Sequence, residues 1–132
     1  MSDVVLITGA SSGLGLATAL SMHQKGYTVF GTSRNPEIHQ EQHPFKFLYL
    51  ENSDSKSIQS CIKSVLSETN RLDILINNAG VGITGPMEEI ELDQVKNHFE
   101  INCFGPLRLM QAVMPLMRNQ GGGVIINVTS IA

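Results

Sequence analysis

The first chemistry legible in this chain is carried by three glycines within ten residues, Ile7-Thr8-Gly9-Ala10-Ser11-Ser12-Gly13-Leu14-Gly15-Leu16. An apolar, β-branched run, Val4-Val5-Leu6-Ile7, comes just before them and predicts a buried strand. Behind them Gly13, Leu16, Ala17 and Leu20 recur at i, i+3, i+4 and i+7 and predict one face of a helix. Strand, glycine turn and helix start are the geometry of a diphosphate site. A helix's first turn has N–H groups without partners and carries partial positive charge. Glycines remove the side chains that would keep a pyrophosphate away from those groups. Gly9, Ser11, Ser12, Gly13, Leu14 and Gly15 are therefore the candidate phosphate-binding residues.

A second position reports on which dinucleotide would fit. About 20 residues past such glycines, an Asp or Glu usually accepts bonds from the ribose 2′-hydroxyl of NAD. Here Thr32-Ser33-Arg34 stands in that place, and the next carboxylate is Glu37, beyond Pro36. A guanidinium pairs with a phosphate, and Ser11 adds a hydroxyl donor. Arg34 thus predicts NADP (NADPH) in preference to NAD. Cys61 and Cys103 both fall in helical patterns without metal-ligand spacing and read as buried free thiols. The four histidines are scattered, which gives no zinc site.

The elements that must position these residues alternate from end to end. The first helix stops at Lys25-Gly26, and Tyr27 to Phe30 is a second strand. Asn35 to Pro44, with two prolines and no apolar period, reads as an exposed loop. Phe45 to Leu50 is a third strand. Asp54 caps a helix lined by Ile58, Cys61, Ile62 and Val65. Leu72 to Ile76 is a fourth strand, ending in the turn Asn77-Asn78-Ala79-Gly80, and a loop with Gly82, Gly85 and Pro86 follows. A helical region runs from about Glu91 to Met117 with Leu92, Val95 and Phe99 inward. Gly121-Gly122-Gly123 breaks it before a fifth strand, Val124 to Val128. Apolar strands separated by helices predict an α/β fold: a doubly wound, Rossmann-type parallel sheet of five strands in the order 3-2-1-4-5. A ligand would then lie outside the strands' carboxyl ends.

These segments together resemble the short-chain dehydrogenase/reductase family, from Val4 to Ala132. Thr8-Gly9-x-x-x-Gly13-x-Gly15 is similar to that family's glycine segment. Leu50-Glu51-Asn52 stands where the family has Leu-Asp-Val bordering the adenine, with the acid one methylene longer. Asn78-Ala79-Gly80 matches the motif that lies against the adenosine ribose and braces the sheet. The resemblance implies hydride transfer between a nicotinamide and a carbonyl or alcohol substrate, by an Asn-Ser-Tyr-Lys tetrad. Asn102 matches the asparagine whose main-chain carbonyl holds a relay water. Ser130 matches the serine that hydrogen-bonds the substrate oxygen. Pro106 lacks the N–H that would bond the Asn102 carbonyl, so a kink is expected there.

The Tyr-x-x-x-Lys pair of the family is absent: four residues after Tyr27 and Tyr49 stand Gly31 and Ser53. Residues 1–132 therefore read as an NAD(P)-binding Rossmann domain, incomplete, lacking the carboxyl-terminal catalytic and substrate-binding part and unable to turn over. Two alternatives stay open: a non-catalytic dinucleotide-binding protein or an interaction module, either ending at Ala132. The net charge of −3 offers no basic face for nucleic acid, and no apolar run reaches the length of a membrane span. With no signal-peptide pattern, the expected location is cytoplasmic. The resemblance implies a homo-oligomer for the full-length form. Self-association of this piece is expected through its exposed fifth strand.

Overall fold

A computed structural model describes residues 2–130; Met1, Ile131 and Ala132 lie outside the described residues. Five parallel strands form one sheet in the order β3-β2-β1-β4-β5. They are β1 (Val4–Ile7), β2 (Thr28–Ser33), β3 (Lys46–Tyr49), β4 (Ile74–Asn77) and β5 (Val124–Asn127). The helices are α1 (Gly13–Gln24), α2 (Pro36–Gln40), α3 (Ser55–Thr69), α4 (Leu92–Phe99) and α5 (Gly105–Asn119). A π-helical stretch, Glu100–Phe104, joins the last two. None of these helices is long and apolar enough to cross a membrane.

Successive strand residues point to opposite faces, and β1 divides accordingly. Val4 and Leu6 join a core with Ile58, Ile62 and Val65 of α3 and Leu109 and Val113 of α5. Val5 and Ile7 join a second core with Ala19 of α1, Val29, Phe45 and Phe47. Helices on both faces make the sheet doubly wound. Burial of each large side chain in these cores contributes about 1.5–3 kcal/mol.

Several local expectations are corrected. β2 runs on to Ser33, because Gly31 lets Ala10 and Phe45 pack where a side chain would stand. The segment read as an exposed loop contains α2, with Pro36 in its first turn. Gln40 holds this short helix to β3, donating to the Phe45 carbonyl (3.0 Å) and accepting from the Phe47 N–H (2.8 Å). The inner face of α1 is centred on Gly15 and Ala19, and Ala17 faces out. On α4, Leu92 and Phe99 are exposed, since no strand packs closely against α4, which runs straight on into the π-helical stretch. Cys103 is exposed as well; only Cys61 fits its expectation, and burial pushes its thiol up to about 12.

The amino ends of the strands are closed by one network. Asp73 accepts from the Val4 N–H (2.8 Å) and from Arg71 Nε (2.8 Å). Gln120, past the end of α5, accepts from the Leu72 N–H (3.3 Å) and donates to the Leu72 carbonyl (2.6 Å). The Arg71 guanidinium and the Val4 N–H hold the Asp73 carboxyl below the usual carboxylate range, against a burial cost that acts the other way.

Candidate functional site

At the carboxyl ends of the same strands a cleft of about 520 Å³ opens. Its floor is the glycine turn. Gly9 has φ +64° and Gly13 φ +57°, a left-handed backbone that favours glycine. A Cβ on Gly9 would come within 2.9 Å of the Ala79 Cα, and one on Gly15 would collide with the Gly9 carbonyl and the Asn78 amide. The third glycine therefore lets α1 pack down on the turn. Buried Thr8 ties β1 to β4: its hydroxyl oxygen accepts from the N–H groups of Asn78 and Ala79, both at 3.0 Å. Asn78 Nδ2 donates to the Gly9 carbonyl at 3.1 Å.

Ser12 stands at the helix start with extended backbone and makes no side-chain cap bond. Among the described residues, the N–H groups of Ser11, Ser12, Gly13, Leu14 and Gly15 bond no protein acceptor. That leaves an anion-ready helix start. Of these residues Gly9, Ser11 and Ser12 line the cleft; Gly13, Leu14 and Gly15 do not, and Leu14 is 73% exposed.

The wall at the end of β2 is Thr32 and Ser33, with Arg34 and Asn35 just past it. Thr32 Oγ1 accepts from the Gly9 N–H (3.3 Å) and Ser33 Oγ from the Asn35 N–H (3.0 Å). Arg34 is exposed and, among the described residues, makes no ion pair or side-chain hydrogen bond. His39, which sequence reasoning passed over, lines the same wall with its ring 5.5 Å from that of Phe47. Its signal is hidden in the sequence because the segment that forms α2, with two prolines and no apolar period, has the pattern of a loop.

Leu50, Glu51 and Asn52 form the facing wall. Glu51 takes a hydroxyl bond from Ser53 (3.2 Å), and its N–H donates to Ser57 Oγ (2.8 Å). Asn52 packs on Gly105, where any Cβ would lie 2.8 Å from the Asn52 Cβ. The Asn52 Oδ1 is buried with no hydrogen-bond partner, a cost of about 1–3 kcal/mol unless something donates to it. Asn78, Ala79, Gly80, Val81 and Ile101 complete the cleft.

Asn102 and Ser130 do not line it. Ser130 is exposed beyond β5. The Asn102 side chain clamps the strand-end loop: Oδ1 accepts from the Val81 N–H (2.8 Å) and Nδ2 donates to the Val81 carbonyl (2.7 Å). The expected break before Pro106 takes the form of the π-helical stretch: the Gly105 N–H reaches back five residues to the Glu100 carbonyl. Helical dihedrals persist at Phe99, Glu100, Phe104 and Gly105, so the chain widens its turn without ending the helix.

A doubly wound parallel sheet with a glycine turn and a polar cleft at its carboxyl ends defines a Rossmann-type fold. Residues 3–132 match the family model for short chain dehydrogenases, and the chain belongs to that family. It is 39% identical over 129 residues to the 3-ketodihydrosphingosine reductase of Bacteroides thetaiotaomicron, covering 98% of this chain and 47% of that protein. A metagenomic short-chain oxidoreductase in complex with NADP superposes with a TM-score of 0.89 at 30% identity, over 98% of this chain and 63% of that one. The 3-ketoacyl-(acyl-carrier-protein) reductase of Brucella melitensis, complexed with NADH, gives 0.90 at 26% identity, over 97% and 57%. The chain spans about half the length of the curated relatives it matches.

Proposed function

We propose that this chain forms the cofactor-binding portion of an NADP-dependent short-chain oxidoreductase that interconverts a carbonyl and an alcohol. The observation that carries the cofactor choice is Arg34, unpaired at the cleft wall, with no carboxylate at the end of β2. A guanidinium there favours a ribose 2′-phosphate, and an acid would favour the free 2′-hydroxyl. The other cleft residues fit the rest of a dinucleotide. The free N–H groups of Ser11 and Ser12 at the cleft, at the start of α1, suit a diphosphate. When bound, the nicotinamide supplies the hydride.

Two further residues take their roles from the family resemblance. Asn102 would offer its main-chain carbonyl to a relay water. Ser130 would hydrogen-bond the substrate oxygen. Residues 1–132 hold no Tyr-x-x-x-Lys, so no positioned acid delivers the proton that accompanies hydride transfer, and this stretch alone is proposed inactive. The exposed apolar side chains of β5, Val124 and Ile126, support association of this chain with itself or with a strand supplied beside it.

Fluorescence titration of the chain with NADPH and with NADH tests the reading. NADPH should bind more tightly by about 10- to 100-fold, the worth of a charge-assisted phosphate contact of about 1.5–3 kcal/mol. Arg34→Ala should erase the difference. Equal affinities in the unmodified chain would contradict the assignment.

A further inference from the structure

The clamp on Val81 has a third member. His98, one turn before Asn102 on the same helical run, brings its Nε2 to 2.9 Å from Asn102 Nδ2. The Asn102 amide has no freedom to reverse. Its Oδ1 already takes the Val81 N–H and its Nδ2 already gives to the Val81 carbonyl, so a flip would set oxygen against oxygen and N–H against N–H. Nδ2 is therefore a donor toward His98, and His98 Nε2 must be the acceptor, an unprotonated nitrogen.

We propose that His98 is a positioning residue for the cofactor cleft: its neutral ring holds the Asn102 amide in the orientation that fixes Val81 at the cleft wall. The proposal rests on the cofactor reading above, since Gly80 and Val81 line the proposed ribose side of that cleft. Gly80 is part of the same joint; a Cβ there would lie 3.2 Å from Asn102 Oδ1. A protonated His98 would set its Nε2–H against the Nδ2–H of Asn102. The clamp is thus complete with a neutral ring and loosens when the ring takes up a proton.

The surroundings leave this coupling simple. On its own helix the titratable groups are Asp93 and Lys96, and on the π-helical stretch packed against it Glu100 and Cys103. Glu100 is engaged by Arg108 at 2.7 Å. The loop across the clamp, Gly80 to Ile83, carries no titratable side chain, and the nearby 3₁₀ turn holds Glu88 and Glu89. Among the described residues, His98 forms no ion pair with any of them.

Two readouts on the full chain test this. NADP⁺ affinity, measured by calorimetry between pH 8 and 5.5, should fall about threefold to tenfold more in the unmodified chain than in His98→Gln. A glutamine offers an acceptor that does not titrate, and the 2′-phosphate's own titration is common to both and cancels in the comparison. Identical profiles for the two would overturn the proposal. Amide exchange at Val81 without cofactor gives the second reading. At pH 5.5 the Val81 N–H should be less protected in the unmodified chain than in His98→Gln, with no difference at pH 8. Equal protection at pH 5.5 would overturn the proposal even if no NADP⁺ bound, an outcome that would instead count against the cofactor reading.

Discussion

Two amide side chains clamp the main chain on either side of β4, in opposite surroundings. Before the strand, Gln120 takes the N–H and gives to the carbonyl of Leu72, which is fully buried. After it, Asn102 does the same to Val81, which is 42% exposed. The first clamp sits beside Asp73 and Arg71, whose charges and hydrogen bonds satisfy one another. The second sits at the rim of a cleft with unpaired N–H groups and an unpaired guanidinium. One end of the sheet is closed for stability. The other leaves hydrogen-bonding capacity unused, which costs stability and is useful only toward a ligand.

The largest effect that could break this contrast is on stability. Asp73→Ala strips a charge-assisted acceptor from the buried Val4 N–H and leaves Arg71 without its partner. It should cost about 2–3 kcal/mol in urea unfolding while leaving cofactor affinity per folded molecule unchanged. A smaller effect should separate the two clamps. Gln120→Met leaves the buried Leu72 N–H and carbonyl unsatisfied, an expected loss of about 1–3 kcal/mol. Asn102→Leu exposes its partners to water and should cost under about 1 kcal/mol, but it should weaken cofactor binding. Equal losses from both would erase the distinction.

The smallest effect is on pH dependence. Because Asp73 titrates below the usual range when folded, its contribution is present above about pH 3.9, the carboxylate's unfolded value, and is lost as pH falls through the depressed one. Urea midpoints at pH 5, 4 and 3 should therefore fall less steeply in Asp73→Asn than in the unmodified chain.

Strand order and the glycine turn were legible because each rests on a local pattern with one geometric solution: an apolar run, a left-handed glycine, a crossover. Arg34 was legible from its position after a strand end, whereas Glu51, Asn52 and Asn78 to Gly80 were legible through the family resemblance; all of them line the cleft. What stayed hidden depends on partners distant in sequence. Periodicity put Leu92 and Phe99 inward, yet no sheet face lies under α4 to receive them. Helical spacing made Cys103 look buried, but the π-helical stretch turns that position outward. Asp73, Arg71 and Gln120 carry no motif, and their network exists only because the strands' amino ends converge. His39 and His98 looked like scattered histidines until α2 and the widened helix placed them.

Amide exchange across the whole chain, with and without saturating NADPH, tests the division between the two ends most directly. Protection should rise at Gly9–Gly15, Thr32–Arg34, Leu50–Asn52 and Asn78–Val81, and stay unchanged at Arg71–Asp73 and Gln120. Protection appearing at the amino ends instead, or nowhere, would contradict the account.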